Sequence, residues 1–134
     1  MDQKSPFRIA AVQASSVFLD LEASLDKACG LIREAAGEGA RLVVLPEAFL
    51  PGYPMWVWFI PGGHTHPLRE LYTELHANSV SISGPATEVL GSVAAECDIT
   101  VAIGVNERNS ESSDSTLFNT LLYIGSDGSV LGRH

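Results

Sequence analysis

Cysteine and lysine are scarce in this sequence of 134 residues, which contains two of each. Two cysteines, Cys29 and Cys97, are too few for the disulfide framework that supports small secreted domains, so we expect a reducing, cytoplasmic environment. No apolar run approaches the length that a membrane-spanning helix needs. The first residues show neither a long apolar stretch nor a cleavage-site pattern, so no signal peptide is predicted.

Basic residues are also few. Eight Lys and Arg stand against sixteen Asp and Glu, and the formal net charge is −8. Nucleic acids and anionic membrane surfaces attract basic patches, so neither is an expected partner. With 46% hydrophobic residues, the chain has enough apolar material for the core of one domain. We find no internal repeat, low-complexity tract or linker that would divide it.

Short apolar runs alternate with amphipathic stretches along the chain. Four strands are predicted, at residues 7–14, 41–45, 99–105 and 117–124, and a fifth begins at Val130. Helices are predicted from an N-cap at Asp20 to Gly37, at 68–77 and at 85–97. The segments 51–67 and 106–115 are predicted loops. The alternation indicates an α/β fold, with the first two strands paired in parallel through a right-handed crossover.

One carboxylate, Glu47, follows the apolar run 42–45 and Pro46. Ligand sites of open α/β sheets gather at the carboxyl ends of strands, and Pro46 lacks the N–H that would extend the ladder. Among apolar neighbours such as Phe49 and Leu50, an acid would be partly desolvated, which would raise its pKa toward the range useful for proton transfer. Glu47 is therefore a candidate for proton transfer, and a helix cap or a buried ion pair is the alternative.

The loop after Glu47 is rich in aromatic residues, namely Tyr53, Trp56, Trp58 and Phe59. Its prolines and glycines argue against a regular helix. An aromatic loop just beyond a strand-end acid could wall a small-molecule pocket. A lid over the core, or a contact between subunits, would account for the same residues equally well.

Other reactive residues fit structural roles better. Cys29 and Cys97 lie on the apolar faces of predicted helices, without a neighbouring base or cation that would hold a thiolate. His64 and His66 stand in a Gly/Pro loop with no further His, Cys or Asp cluster nearby, so no metal site is predicted. The acidic segment 107–114 is expected to be a solvated turn.

Four segments, in this order, resemble the carbon–nitrogen hydrolase (nitrilase) superfamily: FRIAAVQA, LVVLPEAFLPGYP, ITVAIGVNER and LFNTLLYIGSDGSVLGRH. The resemblance extends over essentially the whole chain. The segments PEAFLPGYPMWVWF and LHANSV are more similar to the nitrilase branch than to the amidase branches. The resemblance implies a nitrilase-like four-layer α-β-β-α sandwich, of which residues 1–134 would be roughly the N-terminal half, and a homo-oligomer built on dimers.

The resemblance also implies a mechanism. In this family the glutamate of the P-E-A-F motif is the general base of a Glu-Lys-Cys triad, and here that residue is Glu47. The base takes the thiol proton of a cysteine, which attacks the carbon of a small-molecule nitrile, and hydrolysis of the thioimidate gives ammonia and a carboxylic acid. No metal or organic cofactor is implied. Tyr53 would lie close to the base, while Trp56, Trp58 and Phe59 would shape the substrate pocket.

The other two triad members have no counterpart in this chain. The family's lysine is expected just beyond Gly132-Arg133-His134 and its cysteine further on, and Cys29, Cys97 and Lys27 match neither position. We therefore expect a domain truncated after His134, a fragment that is inactive alone, and the missing C-terminal half as a required partner. The alternatives are an amidase of the same superfamily, acting on an amide, and a truncated non-catalytic chain that binds a partner subunit.

Overall fold

A computed structural model describes residues 6–109, 111 and 113–134. Within them the elements follow in the order β1 (Arg8–Ala11), α1 (Leu21–Gly37), β2 (Ala40–Val44), α2 (Thr65–Ala77), α3 (Pro85–Glu96), β3 (Thr100–Arg108), β4 (Leu117–Ile124) and β5 (Val130–Arg133). A 3₁₀ turn, Met55–Trp58, precedes α2. The mixture of helices and strands confirms the predicted α/β class.

The five strands of the described residues form one sheet in the spatial order β1-β2-β3-β4-β5. β1 and β2 both run parallel to β3, whereas β4 is antiparallel to its neighbours β3 and β5. The parallel pairing of the first two strands is therefore confirmed. Because β2 and β3 are parallel neighbours, their carboxyl ends meet at one edge of the sheet.

α1 begins and ends where the sequence predicts. Asp20 is its N-cap, and the side-chain Oδ1 accepts a hydrogen bond from the Ala23 backbone N–H at 2.9 Å. Ala28, Ile32 and Ala35 are buried at helical spacing, so one stripe of the helix faces the core. Burial of a side chain such as Ile32 contributes about 1.5–3 kcal/mol. This stripe and α3 together cover one face of the sheet.

The two faces of the sheet differ. Val43 and Leu122 are fully buried in the core that α1 and α3 complete. Ile9, Val44 and Tyr123 belong to the opposite face, and each is exposed. The second face is therefore open to solvent at these positions.

β3 extends beyond its predicted end at Val105, to Arg108. Its last three residues pair with residues 117–119 of β4. On the other side Val80 donates to Asn106 O at 2.9 Å, and its carbonyl accepts from the Arg108 N–H at 2.8 Å. The predicted loop is wrong for these three residues, because pairing on both sides outweighs the weak strand preference of Asn, Glu and Arg.

The start of α2 also differs from the prediction. The helix begins at Thr65 rather than at residue 68, so Thr65 and His66 lie in its first turn and not in a loop. Of the predicted loop at 106–115, residues 110 and 112 lie outside the described residues. Among the helices that the structure describes, none has the length and apolar character of a bilayer span.

Candidate active site

Glu47 lies on a short excursion of the chain after β2. The Leu45 N–H donates to the backbone of β3 at 2.8 Å, and the Leu50 N–H does so again at 3.2 Å. Residues 46–49 leave the ladder between these two bonds, where Pro46 has no N–H to offer. We call residues 46–49 the Glu47 turn. Since both ends of the turn are bonded to β3, the backbone of Glu47 has a fixed place just after the carboxyl end of β2.

Gly104 of β3 lies directly against the Glu47 turn. A Cβ there would lie 2.5 Å from Ala48 N and Pro46 O and 2.6 Å from Glu47 Cα. These are backbone atoms, so any side chain at this position would displace the turn. Ala48 adds a second constraint, because its φ of 49° lies in the left-handed region that residues with a Cβ rarely adopt. Because Gly104 has no side chain, β3 leaves room for the Glu47 turn to pack against it.

The Glu47 side chain is exposed, and Asn119 Nδ2 on β4 donates to its Oε1 at 2.6 Å. The prediction that this carboxyl group is partly desolvated is wrong for this chain. Leu45, Phe49 and Leu50 are buried, whereas the turn carries Glu47 to the open face. Among the described residues it caps no helix and joins no ion pair, so neither structural alternative applies. The carboxylate is accessible.

Two asparagines brace the segment that contains Glu47. Asn106 and Asn119 are direct neighbours across β3 and β4. Asn106 is buried, and its Nδ2 donates to Gly52 O at 2.9 Å and to Leu50 O at 3.3 Å. Asn106 thus fixes the chain after the turn, and Asn119 fixes the carboxylate. Neither asparagine was predicted as a site residue. The signal for Asn119 was an amide inside the apolar run 117–124, whereas Asn106 began a predicted polar loop and gave no such signal.

A cavity of about 300 Å³ adjoins the Glu47 turn. Ala48 of the turn lines it together with Asn106 and Asn119. Tyr53 and Trp56 line it as well. The structure therefore brings two of the four predicted substrate-binding aromatics to the same cavity as the turn and its two bracing amides.

The other two aromatic residues lie elsewhere. Trp56 is the buried residue of the 3₁₀ turn, and its ring meets Phe18 edge to face with the centroids 5.7 Å apart. Trp58 and Phe59 are 74% and 73% exposed and do not line the cavity. Both side chains point to solvent, in contrast to Trp56. The binding role of Trp58 and Phe59 stays a prediction.

Neither cysteine has the surroundings of a nucleophile. Cys29 is buried within the core stripe of α1, and burial raises the pKa of its thiol, although Arg33 opposes the rise. A raised pKa keeps the thiol protonated and unreactive. Cys97 is the C-cap of α3. The interpretation of both cysteines as structural residues agrees with these positions.

His64 and His66, at the start of α2, lie on the surface. His64 precedes the helix, and His66 Nδ1 lies 3.5 Å from Glu70 Oε2 in its first turns. Within the described part of the chain, no three His, Cys, Asp or Glu side chains converge as metal ligands would. We assign no ligand-binding role to these residues.

Glu107, in contrast, is only 4% exposed. Its Oε1 lies 2.7 Å from Arg133 Nη1, and its Oε2 accepts a hydrogen bond from Thr120 Oγ1 at 2.8 Å. Asn109 Nδ2 makes a longer contact to Oε1, at 3.5 Å. The prediction of a solvated turn at 107–114 is therefore wrong for Glu107, because β3 continues and turns this side chain toward β4 and β5.

Comparison with known proteins gives one consistent family. The profile of the family described as carbon-nitrogen hydrolase matches residues 8–134. A nitrilase from Bacillus sp. (strain OxB-1) is 38% identical over all of this chain and 37% of its own length. An arylacetonitrilase from Fusarium vanettenii is 45% identical over 78% of this chain and 29% of its own length. The chain thus spans about a third of the length of the relatives it matches.

Solved structures agree on the fold. A CN-hydrolase superfamily protein from Xanthomonas campestris superposes with a TM-score of 0.68 at 24% identity, over 95% of this chain and 39% of its own. An amidase from Nesterenkonia sp. gives a TM-score of 0.61 at 21% identity, over 95% of this chain and 41% of its own. The described sheet and its helix layer form the N-terminal portion of the predicted four-layer sandwich, and the chain belongs to the carbon-nitrogen hydrolase family.

Proposed function

We propose that this chain is the N-terminal portion of a nitrilase, an enzyme that hydrolyses a nitrile to a carboxylic acid and ammonia. The observation that carries the proposal is the accessible Glu47 carboxylate, on a turn bonded to β3 and beside a cavity with aromatic walls. The choice of a nitrile is supported by the names of the relatives, a nitrilase and an arylacetonitrilase.

In the proposed reaction Glu47 is the general base. It takes the proton of a cysteine thiol, and the thiolate adds to the nitrile carbon to give a covalent thioimidate. One water molecule replaces nitrogen, which leaves as ammonia, and the product is a thioester. A second water molecule releases the carboxylic acid and restores the thiol. A lysine stabilises the charge that develops on the tetrahedral intermediates.

The cysteine and the lysine come from polypeptide outside residues 1–134. Cys29 is buried in the core with a raised pKa, and Lys27 lies exposed on α1, two residues before it. Neither position suits the triad. We therefore propose that the 134-residue chain alone hydrolyses neither nitriles nor amides.

The cavity beside the Glu47 turn is proposed to receive the organic group of the nitrile. Tyr53 and Trp56 contribute aromatic surface to the cavity wall. Asn106 and Asn119 contribute amide groups to the same wall. At about 300 Å³ the cavity is at the small end of the range for small-molecule sites. The rest of the sandwich would pack on the open face of the sheet and enclose the site further.

The test uses the complete protein that contains this chain, supplied in turn with an aliphatic nitrile, an arylacetonitrile and the corresponding amides. We expect ammonia and carboxylic acid from a nitrile, and no turnover after Glu47→Gln. Turnover of amides but not of nitriles would show that the protein is an amidase and not a nitrilase. No turnover of either substrate by a folded protein would favour a non-catalytic chain and overturn the proposal.

A further inference from the structure

We infer that Asn119 is a positioning residue for Glu47, one whose amide fixes the first carboxylate oxygen and so presents the second to the thiol. This inference rests on the proposed function, since it assigns Asn119 a part in the same proton transfer. The observation behind it is the 2.6 Å hydrogen bond from Asn119 Nδ2 to Glu47 Oε1.

The Glu47 side chain needs such a contact. Its backbone is fixed by the bonds of the turn to β3, but a glutamate side chain has three rotatable bonds beyond Cα, and this one is exposed rather than packed. Among the described residues, Asn119 makes the one side-chain hydrogen bond to it. Without this amide, nothing in the described chain would select one direction for the carboxylate.

Asn119 is well placed to serve as a fixed point. It lies inside β4, directly opposite Asn106 of β3, whereas Glu47 lies on a turn. A group on a central strand is held by its ladder, so its position varies less than that of a turn residue. The amide is thus the rigid partner of the pair, and the carboxylate is the one that is aligned.

The chemistry of the two groups fixes which atoms meet. An ionised carboxylate only accepts hydrogen bonds, so the amide must present its NH₂ group and not its oxygen. One oxygen of Glu47 is then engaged, and Oε2 remains the acceptor for the thiol proton. An amide donor carries no charge, so unlike a lysine or arginine it orients the base without neutralising it.

The variant that isolates this role is Asn119→Leu, which keeps the approximate size of the side chain and removes the donor. In the complete protein we expect kcat to fall about 10- to 100-fold, comparable to the loss when a group that orients a metal ligand is removed, with KM changed less than about twofold. The matched control is Asn109→Leu, which removes the 3.5 Å amide contact to Glu107 instead. That control should leave kcat unchanged.

A second variant, Asn119→Asp, separates positioning from a merely structural role. It places two carboxylates side by side, so they share a proton at low pH and repel each other at high pH. With the shared proton, the introduced acid can again donate to Glu47. The rate of Asn119→Asp relative to the unchanged protein should therefore rise as pH falls, whereas the relative rate of Asn119→Leu should not vary with pH.

The outcomes distinguish this inference from the proposed function. A protein that turns over nitrile, loses turnover with Glu47→Gln and keeps kcat within twofold in Asn119→Leu overturns the positioning role and leaves the nitrilase intact. Relative rates of Asn119→Asp that do not vary with pH overturn the positioning role as well. A folded, unmodified protein without any turnover overturns both. Circular dichroism of each variant verifies that the comparison concerns folded proteins.

Discussion

Glu47 and Glu107 lie against opposite faces of the same strand, β4, where neighbouring residues hold them. Asn119 donates to Glu47 and Thr120 donates to Glu107. Glu47 is exposed with one neutral donor, whereas Glu107 is buried with an arginine and a hydroxyl. Two residues of the same type, a few ångströms from one strand, thus have opposite surroundings.

The difference shows what makes a carboxylate available for chemistry. Both oxygens of Glu107 have partners on β4 and β5, so a further proton or ligand would have to break a contact that joins three strands. Glu47 has one oxygen in a hydrogen bond, and its side chain is exposed. Burial with full pairing is typical of a structural carboxylate, whereas the exposed Glu47 side chain, with one hydrogen bond among the described residues, can still accept a proton.

The same substitution at both positions should give opposite results. In the complete protein, Glu47→Gln should lower kcat by about a thousandfold, because an amide cannot accept the thiol proton. Glu107→Gln should instead lower the free energy of unfolding by about 1–3 kcal/mol, since Arg133 loses its charged partner. Ammonia release and melting temperature are measured for each variant. Near-normal kcat in a folded Glu47→Gln protein would remove Glu47 from the mechanism.

Gly104→Ala should affect both properties at once. The added Cβ would lie about 2.5 Å from two backbone atoms of the Glu47 turn, so the turn must move. We expect a loss of about 1–3 kcal/mol of stability from overpacking, together with a drop in kcat. The matched control is Gly30→Ala in α1, where a Cβ meets no atom within 4 Å and helix propensity should improve stability. Unchanged kcat in Gly104→Ala would show that the turn does not set the position of Glu47.

Cys29 offers a milder contrast, between a buried thiol and one that is exposed in the unfolded chain. Burial raises its pKa in the folded state, so above the ordinary thiol pKa of 9.0 the unfolded chain releases a proton that the folded chain retains. Stability from this residue is therefore complete below that pH and declines above it. Melting temperatures between pH 8 and 10.5 should fall less in Cys29→Ala. An identical decline in both proteins would contradict the assignment.

The smallest effect is expected at Ala48. Its positive φ is strained for alanine, and glycine adopts it freely, but glycine also makes the unfolded chain more flexible. The two contributions nearly cancel, so Ala48→Gly should change stability by less than about 1 kcal/mol. Since the turn keeps its bonds to β3, kcat should stay within a fewfold of the original. A large loss of activity would show that the Ala48 methyl group, which lines the cavity, contacts substrate.

The sequence was sufficient for elements defined by their own residues. β4 occupies the predicted residues 117–124, because an apolar run with turn signals on both sides identifies a strand. α1 was likewise predictable from Asp20 and its apolar stripe. The end of β3 was not, since Asn106, Glu107 and Arg108 become strand residues only through pairing with Val80 and β4.

The surroundings of the two glutamates could not be derived locally. Glu47 has apolar neighbours in sequence, but they turn into the core while the turn directs the carboxylate to the other face. Glu107 has polar neighbours, yet its partners Thr120 and Arg133 lie 13 and 26 residues away. The sequence neighbours of each residue predicted that Glu107 is exposed and Glu47 partly buried, and the structure shows the reverse. Burial depends here on strands that come together only when the chain folds.

The close fit of the Glu47 turn over Gly104 also restricts the register in which β2 and β3 can pair. The residues on either side of this glycine are Ile103 and Val105, both branched at Cβ and fully buried in the core. If β3 slipped by one residue against β2, one of them would meet the turn, and the backbone could not close over it. The Glu47 turn can therefore form in only one register of β3 against β2. A sheet with these strands out of register cannot present Glu47 in this way.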